Sequence, residues 1–573
     1  TFNTAGFIFS GTAGGAAATI PAQTAGVSSS TYFLRAVRTS TTTQACEAAL
    51  SGANTVNFAY ECNNPTTCSS SNLMSVNGGS ATTIQRNNNG SPLSYQSVNM
   101  TFDANGNAPF TFNYSDVGQV TLHANKPAGG SLLSSLTGAS NAFVVKPDHF
   151  DLTAIQCTIA DAANCAPGAL PSGNNPAAAN AAGASFIQAG KPFSVTVTAR
   201  HAGGGATPNY GREISPEGVR LDRNLVPPTG PGNPAVGFTT GFGAFTNGAA
   251  TGTDFIWNEV GIITLTPGIG DGNYLGAGDV TGTTSVNVGR FIPHHFDVTP
   301  VVHGCTGGGA FTYSGQPFGQ VTVTAKSTSN TVTNNYNGGF AKNVTLSDAN
   351  GSTVGTFANG TFNAGGFANG TQFQSNVTYS FTDKETVPLI LKLRATEAIG
   401  GDGVTSASGG IEDDAPIRSG RVRIINAYGS ELGDLPVPMR VEYYNTDGWV
   451  ANAADTCSTV ATLTAGNFQG NLQSGDTCVL ETVAAGCGTS SLGCAGPASK
   501  CYKALPLGGG YNLHWKAPGA TNDGSVDVGA DLNTLPWLRY DWDNNGSLDN
   551  PTGLATFGTY SGSPRHIYIR ERY

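Results

Sequence analysis

Apolar and polar residues alternate with a period of two along many short stretches of the chain. Two similar stretches, FSVTVTAR from Phe193 and QVTVTAK from Gln320, show the alternation most clearly. Their apolar faces consist of Val195, Val197 and Ala199 and of Val321, Val323 and Ala325. A period of two is that of a half-buried β-strand, and long amphipathic helices are hard to find elsewhere in the chain. The pattern therefore predicts an all-β protein.

One spacing of residues occurs three times: an aromatic residue, an acid two positions on, Gly or Glu two further, and then alternating apolar residues. The copies are Tyr114, Asp116, Gly118, Val120, Leu122; Trp257, Glu259, Gly261, Ile263, Leu265; and Phe381, Asp383, Glu385, Val387, Leu389. A β-sandwich uses an aromatic residue and an acidic turn to cross between its sheets. DANGNA at 103–108 and DANGS at 348–352 predict tight hairpin turns, because Asn-Gly accepts positive φ. Each copy then marks an immunoglobulin-like sandwich of roughly 100 residues or more.

The stretch PDHFD at Pro147 returns as PHHFD at Pro293. Each follows the last predicted strand of one unit, so we expect it to open the next unit, with His149 and His295 in structural rather than metal-binding positions. The acidic run 412–414 is expected to be a solvated linker. These signals predict a rod of three immunoglobulin-like sandwiches and a distinct disulfide-rich β domain, with boundaries at 1–145, 146–291, 292–418 and 419–573.

The composition narrows the class of protein. Of 573 residues only 11% are charged, against roughly 25% in an average globular protein, and 78 are Gly. The net charge of -10 and the absence of Lys or Arg runs argue against a nucleic-acid partner. No 18-residue apolar run is present, so we expect no transmembrane segment. Because the sequence starts at Thr1 without a signal peptide, we expect a processed or trimmed product.

The eleven cysteines have no CxxC spacing, which argues for disulfides rather than a zinc or redox site. Disulfides indicate an oxidising compartment, and we expect the protein to be extracellular or on a bacterial cell surface. Cys62 with Cys68, and Cys157 with Cys165, are near enough in sequence to close small loops. The odd number leaves one thiol free, paired with another chain, or paired with a cysteine outside this sequence.

The sharpest chemical motif is DWDNNGSLDN in the last domain. It matches the first half of a calcium loop, with ligands Asp541, Asp543, Asn545, Ser547 and Asp549. Position twelve is Thr552 rather than a bidentate Glu, so calcium would bind weakly or take a further carboxylate. The alternative is an Asx-rich turn between two aromatic strands. A glycine-rich stretch at 268–279 is expected to be a sandwich loop rather than a phosphate or calcium site, because no strand-to-helix context follows it.

No nucleophile elbow, zinc-protease helix or phosphate-binding loop is present, so we predict a protein that is not an enzyme. A carbohydrate-active enzyme stays an alternative, because Glu431, Glu442 and Asp447 could converge in the last domain. The aromatic residues there could form a sugar-stacking platform for a glycan, although we expect core positions for them. These aromatic residues are Tyr443, Tyr444, Trp449, Trp537, Tyr540 and Trp542.

The stretches NAYGSELGDLPVPMRVEYYNTDGWVANAADTC and LPWLRYDWDNNGSLDNPTGLATFGTYSGSPRHIYIRERY resemble the C-terminal region of the MSHA pilus biogenesis protein MshQ family. PDHFD, SGQPF, VTVTA, YFLRAVRT and CNNPTTC are similar to earlier parts of that family, so the resemblance covers nearly the whole chain. It implies an exported bacterial surface protein linked to type IV pili of the mannose-sensitive haemagglutinin type.

Together these patterns predict a non-enzymatic extracellular protein that acts in adhesion or pilus assembly. Its partners would be pilus subunits, copies of itself, or a glycan or other surface ligand. One alternative is a self-assembling filament or sheath subunit, with TFNTAGFIFS or RHIYIRERY as a strand donated to a neighbouring chain. The other is a secreted carbohydrate-binding or carbohydrate-active protein.

Overall fold

The computed structural model describes residues 5–40, 45–130, 132, 134–157, 165–303, 310–460, 462–481, 493–495 and 511–558. These residues form β-strands, with 3-10 turns at Tyr274–Gly276, Gly338–Phe340, Ala364–Gly366, Ser406–Ser408 and Pro536–Leu538 and no α-helix in the described ranges. The prediction of an all-β protein is therefore confirmed. Within the same ranges, no helix has the length and apolar character needed to cross a membrane.

The chain divides into two compact units. The first comprises Thr1–His294, Lys326–Ala341 and Ala368–Gly370, and the second comprises His295–Ala325, Lys342–Phe367 and Thr371–Tyr573. The four domain boundaries stay predictions.

The first sandwich contains strands β1 to β13. They are β1 Ala5–Ser10, β2 Gln23–Thr24, β3 Tyr32–Thr39, β4 Cys46–Ala48, β5 Gly52–Asn64, β6 Met74–Asn77, β7 Ala81–Thr83, β8 Gln85–Asn88, β9 Gln96–Phe102, β10 Asn107–Tyr114, β11 Gly118–Lys126, β12 Leu136–Ala139 and β13 Phe143–Lys146. One sheet has the order β1-β3-β10-β6-β7 with β4 beside β3, and the other has β2-β13-β11-β5-β8 with β12 beside β11 and β9 beside β5. Buried aromatic rings such as Phe58 and Phe110 fill the core.

The second sandwich has a three-stranded and a four-stranded sheet. Its strands are β14 His149–Gln156, β15 Ile187–Gln188, β16 Phe193–Arg200, β17 Val219–Leu225, β18 Ala249–Phe255, β19 Gly261–Ile269 and β20 Val288–Ile292. The sheet orders are β14-β16-β18 and β15-β20-β19-β17. The predicted face of Val195, Val197 and Ala199 is fully buried, which confirms the period-two reading of β16.

The third repeat forms three sheets, in the orders β21-β23-β27, β22-β30-β29-β24-β26 and β25-β28. Its strands are β21 His295–Val301, β22 Thr312–Tyr313, β23 Gln320–Lys326, β24 Val344–Asp348, β25 Gly355–Ala358, β26 Thr361–Phe362, β27 Thr371–Gln374, β28 Thr378–Phe381, β29 Leu389–Glu397 and β30 Asp414–Arg418. The predicted face of Val321, Val323 and Ala325 is likewise buried.

The fourth domain pairs a six-stranded with a four-stranded sheet. Its strands are β31 Gly420–Ile424, β32 Ala427–Gly429, β33 Leu435–Asn445, β34 Gly448–Ala451, β35 Thr462–Gly470, β36 Val479–Glu481, β37 Gly493–Ala495, β38 Tyr511–Trp515, β39 Gly524–Asp531 and β40 Thr552–Phe557. The orders are β31-β33-β38-β36-β37, with β34 beside β33, and β32-β40-β39-β35. Val437, Met439 and Val441 of β33 are buried in the core of this domain.

Both PxHFD stretches open a sandwich, as predicted. His149 begins β14 and His295 begins β21. The His149 ring contacts Asp148, with Nδ1 at 2.7 Å from Oδ2, and Asp151, with Nε2 at 3.6 Å from Oδ1. His295 has the equivalent neighbour, with Nε2 at 3.7 Å from Asp297 Oδ1, so the His and Asp side chains lie next to each other in both stretches.

The two Asp-Ala-Asn-Gly turns do not form hairpins, which corrects the prediction from sequence. The turn at 103–108 joins β9 to β10, and that at 348–352 joins β24 to β25. In each case the two flanking strands belong to different sheets. The local geometry is as expected, since Gly106 and Gly351 have φ of 79° and 73°. Strand pairing with distant partners decides that each turn crosses between sheets.

The third copy of the aromatic and acid pattern also departs from the prediction. Val387 is exposed, and β29 begins only at Leu389. Its buried face consists of Leu391, Leu393 and Ala395. Pro388 gives a physical reason, because a residue without an N–H cannot donate to a strand ladder.

The acidic run 412–414 is not a linker. Asp414 begins β30, and Glu412 accepts two hydrogen bonds from the Arg394 guanidinium at 2.7 and 3.1 Å. This pairing lowers the pKa of Glu412. The run is therefore part of the third repeat.

Disulfides join Cys62 to Cys68 and Cys157 to Cys165, as their spacing suggested. Cys457 and Cys478 are also disulfide-bonded, and among the described cysteines Cys46 has a free, exposed thiol. The remaining cysteines are Cys305, Cys487 and Cys501, outside the described residues, and Cys494, whose side chain is not described. Strand β1 pairs with β3 of its own sandwich, so the part of TFNTAGFIFS in β1 is not free for donation to another chain. The segment RHIYIRERY lies outside the described residues.

Candidate functional site

The Asp116 carboxyl is buried at the start of β11 and is held by backbone N–H groups. Its Oδ1 accepts from Val117 N at 3.0 Å and from Asn209 N at 2.9 Å. Asn209 lies in the loop between β16 and β17, so the bond joins the first sandwich to the second. Oδ2 of Asp116 and the hydroxyl of Tyr60 are buried with no hydrogen-bond partner among the described residues.

Asn209 adds three further bonds to this contact. Its Nδ2 donates to the Tyr114 hydroxyl at 2.9 Å and to the Val117 carbonyl at 3.2 Å. Its Oδ1 accepts from Ser69 N at 2.6 Å. The Asn209 side-chain amide is fully buried, and both its oxygen and its nitrogen are hydrogen-bonded to the first sandwich. These bonds hold the second sandwich in one position relative to the first.

Glu259 forms the same contact at the start of β19. Its Oε1 accepts from Val260 N at 2.8 Å and from Asn335 N at 3.0 Å, and its Oε2 accepts from Asn334 N at 2.9 Å. Asn335 Nδ2 donates to the carbonyls of Gly232 at 2.6 Å and Val260 at 3.0 Å. All of these residues belong to the first compact unit. We call these two contacts the acid–asparagine contacts.

The glycine two positions after each acid is required by this geometry. Gly118 and Gly261 have φ of 124° and 137°. A Cβ atom would lie 2.5 Å from the Asn64 carbonyl oxygen in the first case and 2.7 Å from the Pro227 carbonyl oxygen in the second. Only glycine allows this approach of the two backbones.

The acids were singled out by the sequence, but their asparagine partners were missed. The sequence does contain a pattern that could have identified them: the spacing Thr-x-Asn-Tyr occurs in both ATPNYG and TNNYNG, within stretches that align between the repeats. The matched residues are Thr207, Asn209 and Tyr210 and Thr333, Asn335 and Tyr336. All six are buried.

Burial raises the pKa of Asp116 from 3.8 to about 7, with Glu213 adding to the rise and Arg212 opposing it. Since the folded value exceeds the unfolded value, the folded state binds the proton more tightly. The stabilisation is complete below about pH 4 and is lost as pH rises through about 7.

We therefore expect the first sandwich to lose stability, by at most about 4 kcal/mol, between pH 4 and pH 8 relative to the Asp116→Asn variant. Hydrogen exchange of the β11 amides in the full chain, corrected for intrinsic rates, measures this difference. A difference between the two proteins that stays constant with pH would contradict the prediction.

The third copy of the pattern makes a different contact. Asp383 is exposed and accepts from Glu385 N at 2.9 Å. Glu385 Oε1 accepts from the Tyr540 hydroxyl at 2.6 Å and from Trp449 Nε1 at 3.3 Å, and these bonds lower its pKa. The acidic turn of the third repeat is thus bound by aromatic residues of the fourth domain, within the second compact unit.

Lys384 strengthens the same contact. Its ammonium group donates to the Trp537 carbonyl, and burial lowers its pKa to about 8. None of the six aromatic residues expected in the core is fully buried, although Trp537 packs against the core of the domain. The six residues are Tyr443, Tyr444, Trp449, Trp537, Tyr540 and Trp542.

Three of these rings surround the Arg421 guanidinium. The carbon Cζ lies 4.2 Å from the ring centroid of Trp449, 4.6 Å from that of Tyr540 and 5.0 Å from that of Trp542. Arg421 Nε also donates to Glu442 Oε2 at 2.8 Å. The ring faces therefore hold a cation from the chain itself, which is a structural use of the cluster.

The three acids considered for catalysis lie in different settings. Glu442 is fully buried and paired with Arg421 and Arg440. Asp447 lies in the exposed turn between β33 and β34, and Glu431 is partly exposed ahead of β33.

The predicted calcium turn brings together three of its five residues. Asp541, Asp543 and Asp549 each place a carboxylate oxygen within 4.8 Å of the others. Asn545 Nδ2 donates to Asp543 at 2.9 Å, and its Oδ1 accepts from Ser547 N at 2.7 Å. The three carboxylates fit a hard cation, and a bound calcium would offset their repulsion. Calcium there stays a prediction.

We expect calcium to stabilise the fourth domain by about 1.4 kcal/mol at ten times its dissociation constant. Thermal unfolding of the full chain with and without calcium, after treatment with a chelator, measures the effect. The Asp541→Asn variant should lose it, whereas Asp447→Asn should keep it. An equal calcium response in all three proteins would count against the site.

The glycine-rich stretch at 268–279 is a sandwich loop, as expected. Asp279 pairs with Arg220 at 2.8 Å, and Asn273 Oδ1 accepts from Gly278 N at 2.9 Å. Tyr274 is fully buried in the core.

The fold and the buried contacts define a protein of tandem immunoglobulin-like β-domains. Family models match the chain in order: "Domain of unknown function (DUF6701), first Ig-like domain" at 1–139, the second domain at 146–254, the third at 259–416 and the fourth at 418–572. The chain belongs to the DUF6701 family. A search of curated proteins finds no match.

Solved structures of three bacterial proteins show distant similarity to the chain. FdeC, an Escherichia coli adhesin, is 10% identical with a TM-score of 0.23, and the match covers 73% of this chain and 98% of that one. Invasin, a bacterial integrin-binding protein, is 10% identical with a TM-score of 0.26 and coverage of 97% and 79%. The surface layer protein SbsC is 9% identical with a TM-score of 0.18 and coverage of 95% and 55%.

Proposed function

We propose that this chain is a non-enzymatic bacterial surface protein whose repeats form a mechanically coupled stalk, acting in adhesion or assembly associated with type IV pili. The observation that carries the proposal is the repeated acid–asparagine contact. Asp116 and Glu259 occupy equivalent positions, and each accepts backbone N–H bonds from a Thr-x-Asn-Tyr loop. Flexible linkers between independent domains would need no such buried contact.

The acid–asparagine contacts suit a stalk because each consists of hydrogen bonds, which are short-ranged and directional and therefore fix the relative positions of the groups they join. Separating the sandwiches would leave the Asp116 carboxyl, the Asn209 amide and two backbone N–H groups without their partners. Each unpaired buried group costs about 1–3 kcal/mol until water reaches it. Several such groups per contact resist small relative movements of neighbouring domains.

The disulfides and the resemblance to the MshQ family support the proposal of an exported protein on the cell surface. The disulfides at Cys62–Cys68 and Cys157–Cys165 are typical of oxidising compartments. The link to type IV pili rests on the resemblance to the MshQ family. The fourth domain would then be the binding head or the dock to pilus subunits.

Immunogold electron microscopy of filaments sheared from producing cells tests the proposal. Label confined to filament ends is expected for a stalked adhesin. A strain that lacks the major pilin is the control, and it should lose the label from sheared material. Label along the whole filament would instead identify a structural subunit, and label on cells without any filament association would overturn the pilus link.

A further inference from the structure

The second sandwich contains a cavity of about 410 Å³ beside β18. The residues that matter in its lining are Phe238, Phe242, Phe245, Phe255, Glu217 and Gly218. Its volume lies in the range of natural small-ligand and side-chain pockets. The acid–asparagine contacts do not use these residues, although Phe245 packs on Tyr210 of the first Thr-x-Asn-Tyr loop with ring centroids 4.8 Å apart.

The wall of the cavity is built by a short loop that one carboxylate organises. Asp254 accepts N–H bonds from Thr239 and Gly241 at 3.0 Å each and from Thr240. Gly241 has φ of 69°, and a Cβ there would lie 3.0 Å from the Phe238 ring. The cavity is therefore preformed rather than a gap in a mobile loop.

Aromatic rings line the cavity and reach its mouth. Phe242 packs on Phe255 with ring centroids 4.9 Å apart, and Phe238 packs on Phe255 at 5.8 Å. Phe238 nevertheless keeps 54% of its surface exposed. The half-exposed ring is accessible to a ligand that enters the cavity.

One ionisable side chain, that of Glu217, lines the cavity. Its Oε1 accepts from Leu275 N at 3.3 Å. Burial raises the pKa of Glu217, and Asp271 adds to the rise; both disfavour the charged carboxylate, and a bound cation would oppose them. Among the described residues Glu217 forms no ion pair, so a cation that reached its carboxylate would be attracted to it.

We propose that this cavity binds a basic–apolar peptide segment of a partner protein, in which an arginine contacts Glu217 and a neighbouring apolar side chain fills the phenylalanine-lined space. Aromatic rings attract cations as well as apolar groups, so one lining serves both parts of such a segment. The net charge of -10 on the chain favours a basic partner in the same way. The proposal does not depend on the link to pili.

Titration calorimetry of the full chain with two blocked dipeptides tests this inference. The probes are N-acetyl-leucyl-arginine amide and N-acetyl-leucyl-citrulline amide, which differ in charge but hardly in shape. We expect saturable binding of the arginine probe and about threefold to fivefold weaker binding of the citrulline probe. Glu217→Gln should remove this difference between the probes.

A second variant tests the cavity itself. Gly218 lines the cavity and a Cβ there would meet no atom within 4 Å, so Gly218→Leu should fold normally and narrow the cavity. It should weaken binding of both probes at least tenfold, whereas Asp447→Asn in the fourth domain should not change it. Binding that survives Gly218→Leu, equal binding of the two probes by the unmodified chain, or no saturable binding would each overturn the proposal.

Discussion

Replacing Glu442 by alanine is expected to destabilise the fourth domain by about 3–5 kcal/mol. The Glu442 side chain is fully buried in β33, and Arg421, Arg440 and Arg423 each place a guanidinium nitrogen within 3.8 Å of its carboxylate. It accepts from Arg421 Nε and Arg440 Nε at 2.8 Å each. The Arg421 side chain is only 9% exposed, so the substitution leaves a nearly buried cation without its anion.

Urea unfolding of the full chain, followed by tryptophan fluorescence, measures this effect. Four of the five tryptophans lie in the fourth domain, so the signal reports mainly on that domain. Asp447→Ala, in an exposed turn close to the same strand, is the matched control and should change the stability little. Equal unfolding midpoints for the two variants would contradict a structural role for Glu442.

Because Glu442→Ala is expected to unfold the fourth domain, this variant cannot test the alternative that the protein is a carbohydrate-active enzyme. Loss of turnover in Glu442→Ala would follow from unfolding alone, and so would not identify a catalytic acid. Asp447 and Glu431 are more exposed, and their substitution by alanine should leave the domain folded. Turnover on a glycan panel that either substitution abolishes would support an enzyme.

The second large effect is expected for Trp257→Ala, which should destabilise the second sandwich by about 3–5 kcal/mol. Trp257 is fully buried, packs against Phe291 with ring centroids 5.0 Å apart, and donates from Nε1 to the Pro234 carbonyl at 3.1 Å. Its removal leaves a large cavity next to the Glu259 contact and one hydrogen bond fewer to the Pro234 carbonyl, which also accepts from Arg223 Nε at 2.8 Å.

Hydrogen exchange measured by mass spectrometry resolves this effect along the chain. Exchange should accelerate in β19 and β20 and stay unchanged in β33. Phe373→Ala is the control, since that ring is 65% exposed. Equal acceleration in every domain would show that the whole chain unfolds as one unit.

Much of the fold follows from local patterns along the chain. The period of two identified the buried faces of β16 and β23, because alternate side chains of a strand point to opposite sides wherever the strand lies. The repeated aromatic and acid spacing identified Asp116 and Glu259 as equivalent positions. Short spacings made Cys62–Cys68 and Cys157–Cys165 plausible disulfides, and the structure decided that these cysteines pair.

The partners of these residues depend on the tertiary structure. Asn209 lies 93 residues from Asp116, and no local rule relates them. The two Asp-Ala-Asn-Gly turns have the local geometry expected of hairpins, yet they cross between sheets because their flanking strands pair with distant strands. The aromatic residues of the last domain likewise contact Glu385 and Arg421, which are remote from them in sequence.

The sequence by itself thus determined the alternating strand faces, the repeats and the equivalent positions of the acids, because each depends on spacing over a few residues. Only the tertiary structure decided what the acids bind, which turns join which sheets, and that the phenylalanines around Glu217 enclose a cavity. Those features depend on contacts between residues that are far apart in the chain, and such contacts are specified by the packing of whole sheets.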